Sequence, residues 1–101
     1  MTSISNFSGT ETQTIVAAVP GRRIRVRRLI LSSTGTSVYT FTLKSEAQPI
    51  SPMLRPTNHL DLAFHEGQEH FTTGAGEPLV GAASGASIAA SLWIDYDLVP
   101  A

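Results

Sequence analysis

From about residue 12 to residue 99 the chain runs in short stretches of β-branched and aromatic residues, broken at close intervals by Gly, Pro and Ser. Within those stretches apolar and polar positions alternate, the period expected of strands with one buried face. The rhythm predicts strands over 12–18, 22–33, 37–45, 48–54, 59–64, 69–73, 78–83 and 87–99. In the third of these, Tyr39, Phe41 and Leu43 share one face and Val38, Thr40, Thr42 and Lys44 the other. In the last, Ile88, Ala90, Leu92, Ile94, Tyr96 and Leu98 form the inward set, which leaves Trp93, Asp95 and Asp97 on the outer face.

The run from Arg22 to Leu31 alternates cleanly through Ile24 and Val26 and then changes phase, because Leu29 and Leu31 have the opposite parity. One extra residue in a strand reverses the direction of everything after it. A β-bulge near Arg27 and Arg28 is therefore expected, returning both leucines to the core. Pro49, Pro52 and Pro56 each lack a backbone donor, which confines the 48–56 segment to a sheet edge or an extended connection. Residues 1–11 are polar apart from Ile4 and Phe7 and read as an N-terminal arm that docks on a neighbouring subunit, ahead of a β-sandwich domain at 12–101. The expected fold is all-β: a two-sheet antiparallel sandwich of jelly-roll type with about eight strands.

Composition narrows this further. A chain of 101 residues has room for one domain and one modest core. Charged residues make up only 15%, against roughly 25% in an average soluble protein, which leaves few charges to cover a monomer's surface. Small and hydroxyl-bearing residues take their place, and the stretch Gly81 to Ser87 reads as turn material. The net charge of −1 argues against general binding of nucleic acid, although five of the seven basic residues lie between Arg22 and Arg28. Without cysteine there is no disulfide framework and no thiolate metal site. No long apolar run and no signal-like N-terminus are present, so neither membrane insertion nor Sec-type secretion is expected.

Tests for chemistry return little. His59, His65 and His70, with Glu66 and Glu69 among them, could suit a divalent metal, but His65 and His70 straddle Gly67 with opposite parity and fit solvent-facing residues around a turn better. Gly81 to Gly85 lacks the spacing of a nucleophile elbow, and Gly74-Ala75-Gly76 is followed by neither the Lys nor the helix of a phosphate loop. No cofactor and no catalytic residue is expected. Asp95 and Asp97 share a strand face, where pairing with arginine is the favoured role over glycoside hydrolysis. The arginines concerned are Arg23, Arg25 and Arg27, which point away from Ile24 and Val26 and could pair with these carboxylates, with carboxylates on another chain, or with nucleic acid. Trp93 on the outer face is the best interface anchor. The candidate interface is therefore Arg23, Arg25, Arg27, Trp93, Asp95 and Asp97, together with Phe7 of the arm.

Two segments, Thr14 to Val26 and Phe71 to Leu79, carry a resemblance that continues through Thr40 to Ser45, Ile50 to Met53 and Trp93 to Tyr96. Over residues 14–97 the chain resembles small structural proteins encoded by tailed phages and prophages. The resemblance implies a non-enzymatic jelly-roll virion protein, a capsid decoration or cement protein that sits as a homotrimer on the shell. Its partners would then be copies of itself and the phage major capsid protein, and its place the capsid surface after synthesis in the host bacterial cytoplasm. A receptor- or carbohydrate-binding module of a tail fibre or tail tip is the alternative. The chain departs from the pattern at Pro20 and in its middle, at His59, Asp61 and His65.

Overall fold

The alternating runs form strands throughout, and the computed structural model describes residues 1–33, 40–55, 59–64, 71–85 and 89–101. Among these residues the strands are β1 (Thr2–Ser8), β2 (Glu11–Val16), β3 (Arg22–Ser33), β4 (Thr40–Ser45), β5 (Gln48–Pro49), β6 (His59–Ala63), β7 (Phe71–Thr72), β8 (Leu79–Ser84) and β9 (Ala89–Pro100). No described residue is helical, so no described helix could cross a membrane. Residues 37–39, 69–70 and 87–88 of the expected strands lie outside the described residues, and with them Val38, Tyr39, His70 and Ile88.

Two antiparallel sheets pack face to face. One runs β1-β9-β3-β6, with β7 also pairing β3, and the other runs β2-β8-β4-β5. Taking β6 and β7 as one interrupted strand lying along β3, the chain crosses between sheets in the eight-strand jelly-roll order. The longest pairing, β3 with β9, runs from Arg22 opposite Pro100 to Ser33 opposite Ala90.

That pairing contains the expected bulge. Val26 lies opposite Tyr96 and Arg28 opposite Asp95, which leaves Arg27 as the extra residue. The consequence is visible in the interior, where Ile24 and Val26 before the bulge and Leu29 and Leu31 after it are all buried. They meet Leu92 and Ile94 from β9, and Phe41, Leu43 and Leu79 from the facing sheet. Each such side chain contributes roughly 1.5–3 kcal/mol by leaving water. The proline-rich segment is an edge, as its missing donors require: Pro49 ends a two-residue strand at the margin of its sheet, and Leu54 makes a single bridge to Phe41.

Two expectations are corrected. Residues 2–8 are not an arm: β1 pairs with β9 from Thr2 opposite Asp95 to Ser8 opposite Ala89. Phe7 is buried and meets the Phe41 ring edge-on at a centroid distance of 5.3 Å. The inward parity of β1 otherwise carries only Ser3 and Ser5, so one aromatic anchors a strand whose composition reads as polar. Gly81 to Ser84, turn-like in composition, is not a turn but most of β8, between β2 and β4, in keeping with the strand expected over 78–83. A Cβ at Gly81 would lie 2.7 Å from Ile15 Cδ1 and 2.8 Å from Phe41 Cζ, so the strand needs glycine there to let these side chains approach its backbone.

One polar clasp ties the sheets together at an end of the sandwich. Ile24 N donates to Thr73 Oγ1 at 2.9 Å, Gly74 N donates to Ser45 Oγ at 2.8 Å, and Ser45 Oγ donates in turn to the Glu77 carboxylate. Thr73 and Ser45 are the two buried polar residues among those described, and both are bonded.

Candidate functional site

The outer face of the five-stranded sheet gathers most of the candidate residues, and the pairing registers fix it row by row. Asn6, Ser91, Ser32 and His59 form a polar row across β1, β9, β3 and β6. Asn6 Oδ1 accepts from Ser91 Oγ at 2.8 Å, and Ser32 Oγ lies 3.3 Å from His59 Nδ1. The next row is Ile4, Trp93 and Ile30, closed by Asp61. Ile4 is 71% exposed, while Trp93 and Ile30 are half-buried between their cross-strand neighbours. The third row is Thr2, Asp95, Arg28 and Ala63, and beyond it Arg25 lies between Asp97 and Thr72.

Ion pairs brace the charged rows. Arg28 grips Asp61 through two parallel bonds, Nε to Oδ1 at 3.1 Å and Nη2 to Oδ2 at 2.7 Å, the fork geometry in which guanidinium and carboxylate match. That hydrogen bonding is the main reason the Asp61 carboxyl sits below the usual carboxylate range and the Arg28 guanidinium above its own. Arg25 Nη2 and Arg27 Nη1 converge on the same oxygen, Asp97 Oδ2, at 2.8 and 3.3 Å. Asp97 is likewise held below the usual range, first by its bond from Arg25. Arg27 shares the outward parity of Arg25 and, as the extra residue of the bulge, has no partner of its own opposite on β9, which leaves it beside the partner of Arg25.

The expected pairing of arginine with the β9 carboxylates thus holds for Arg25 and Arg27 with Asp97. Asp95 instead meets the Met1 ammonium at 3.4 Å, and Arg23 stands exposed opposite Val99 with no ion pair among the described residues. Trp93 occupies the outer face. Phe7 does not: its ring is committed to the chain's own interior and is withdrawn from any surface contact. His59 lies on this face, whereas His65 and His70 lie outside the described residues, and among those described no three His, Asp or Glu side chains are grouped to hold a metal.

Sequence reasoning missed Ile4, Ile30, Arg28 and Asp61. Ile30 and Arg28 were legible, because the bulge that turns Leu29 inward necessarily turns its two neighbours outward. Asp61 was not, since nothing local to residues 59–63 names β3 as their partner.

The fold and this face together define a jelly-roll β-sandwich domain with a braced, partly apolar sheet face. No protein-family model matches the sequence, and no curated protein matches it. Among solved structures the chain is similar to the insecticidal delta-endotoxin Cry8Ea1 from Bacillus thuringiensis, with 16% identity and a TM-score of 0.42. The match covers 95% of this chain and 19% of the toxin, so the chain spans about a fifth of that protein's length. The likeness is too loose to bear on function.

Proposed function

We propose that this chain is a non-enzymatic structural protein of a phage virion, a capsid decoration or cement protein that stabilises the head by adhering to its shell. The reading rests on the sequence resemblance over residues 14–97 and on one structural observation, the apolar row Ile4, Trp93 and Ile30 set between a polar row and an ion-paired one. An aromatic anchor flanked by aliphatic side chains and rimmed by bonded polar groups is how adhesive protein surfaces are built. The rim is held in place before binding, because Arg28, Asp61, Arg25 and Asp97 already have partners, so little side-chain freedom is lost on contact.

Co-sedimentation with expanded, decoration-free capsids tests the proposal. The full chain should pellet with the shells, and Trp93→Ala should weaken that binding by about 2 kcal/mol or more, the range of a hot-spot truncation, while its thermal melt stays close to the parent's. A chain that never pellets with shells, or one that pellets equally well without Trp93, overturns it. Binding to host cells or glycans in place of shells would move the chain to the tail-fibre reading.

A further inference from the structure

Every open sheet has two edges, and in this molecule they are defended unequally. A strand edge exposes a row of unpaired N–H and C=O groups, which soluble proteins blunt with proline, charge, a bulge or brevity. β5 is two residues long and ends in Pro49. β2 carries Glu11 and a bulge between Thr14 and Val16. β6 carries Asp61 and His59 over five residues. β1 is the least defended: its seven residues, Thr2 to Ser8, contain no charge and no proline, its pairing with β9 runs without a break, and only its far end is covered, by Glu11 and Gln13 of β2.

Hydrogen bonding shows which groups that edge presents. Tyr96 N donates to Met1 O at 2.8 Å, so in this register the odd-numbered residues of β1 exchange bonds with β9 and the even-numbered ones face away. Two contacts agree with that assignment. Ser8 N donates to Glu11 Oε2 at 2.8 Å, and Asn6 O accepts from Gln13 Nε2, both on the side away from β9. Among the described residues, the N–H and C=O of Thr2 and Ile4 and the N–H of Asn6 make no bond elsewhere in the molecule and point outward along the edge.

We infer that β1 pairs antiparallel with β1 of a second copy of this chain, on a two-fold axis at Ile4. A two-fold contact requires a self-complementary surface. This edge supplies one: Ile4 falls opposite Ile4, and Thr2 opposite Asn6 in both directions, with no like charges meeting. Residues directly opposite on an antiparallel ladder point to the same face. The apolar row of each copy therefore continues into the other, from Ile30 through Trp93 and Ile4 across the axis, and the exposed Ile4 side chains cover one another. The inner positions beside the axis are Ser3 and Ser5, small enough to let the two sandwiches approach. The pairing uses one end of the row that carries the proposed adhesion, lengthening it across two copies, and it closes at two copies where the phage resemblance implies three.

The mass of the full chain in solution, without capsids, is the first readout, and a register-specific cross-link is the second. Light scattering should give a dimer, and Ile4→Lys, which sets two ammonium groups face to face at an exposed site, should give a monomer with an unchanged circular dichroism spectrum. Opposed residues in a bonded antiparallel pair have Cα atoms about 5.5 Å apart, within disulfide reach. Because the chain has no cysteine of its own, Ile4→Cys should oxidise almost completely to a covalent dimer, while Thr2→Cys and Asn6→Cys cross-link only when mixed. A monomer at all concentrations, a trimer, or a dimer in which Ile4→Cys fails to cross-link each overturns the inference. Mass and cross-linking are read without capsids, and shell binding is read through Trp93→Ala, so the failure of one reading is distinguishable from the failure of the other.

Discussion

The two outer faces of this sandwich share a fold and a core yet differ in kind. On the five-stranded sheet the outward side chains include Arg23, Arg25, Arg27, Arg28, Asp61, Asp95 and Asp97, with Trp93 and Ile30 between them. On the four-stranded sheet the outward rows are Thr12, Ala82 and Thr42, then Thr14, Val80 and Lys44, with Thr40 opposite Ser84. Threonine satisfies a strand's preference for β-branched residues and asks nothing of a partner. Seven of the chain's 15 charged residues, seven basic and eight acidic in all, thus stand on one outer face, whereas Lys44 is the one charge in the described rows of the other.

If the difference is confined to the outer faces, the shared interior should be indifferent to which sheet supplies a side chain. Phe7→Ala from β1 and Phe41→Ala from β4 should each lower the unfolding free energy by about 3–5 kcal/mol in urea titrations. A negligible loss for Phe7→Ala would restore the arm reading and remove β1 from the face. Next in size, Gly81→Ala should cost about 1–3 kcal/mol, because the added methyl meets Ile15, Phe41 and Phe7 at or inside 3.0 Å. The same denaturant titration reads it, and an unchanged midpoint would mean that the two phenyl rings have room to withdraw.

The charged face should show itself with acid. Asp61 and Asp97 both have lowered folded pKa values, so their stabilisation is complete above the unfolded carboxylate value and is lost as pH falls through the lower folded one. Thermal melts followed from about pH 6 to pH 2 should therefore decline less steeply for a variant carrying Asp61→Asn and Asp97→Asn than for the parent. Identical slopes would show that these pairs do not persist in solution. At neutral pH Asp97→Asn alone should cost no more than about 1 kcal/mol, as is usual for exposed ion pairs. Smallest of all, Thr42→Ser or Thr12→Ser on the opposite face should stay within about 0.5 kcal/mol of the parent and leave shell binding unaltered. Weakened binding from either would end the distinction between the faces.

Much of the architecture was legible in the sequence because alternation is a strong constraint once one face must be dry. The phase change after Val26 located the bulge at Arg27, and the alternation of β9 placed Trp93 and Asp97 outward. β1 escaped notice because its inward positions are mostly serine, whose burial at a sheet margin leaves no apolar signal. The small residues of β8 gave two conflicting signals, a strand over 78–83 and a turn from Gly81 on, for a related reason: Gly81 serves the bulk of rings that are remote in sequence, and composition alone cannot tell a space reserved for a neighbour from a bend. Arg28 and Asp61 needed the order of strands in the sheet, which no local pattern encodes.

The bulge has a further consequence in the arithmetic of charge. A regular ladder matches one residue to one, so an arginine strand beside an aspartate strand could neutralise itself. The inserted Arg27 breaks that parity of numbers: two guanidiniums claim a single oxygen of Asp97, and Arg23 further along makes no ion pair among the described residues. Among the described residues, three guanidiniums, those of Arg23, Arg25 and Arg27, therefore stand beside the single carboxylate of Asp97, so charge at this corner does not cancel strand against strand.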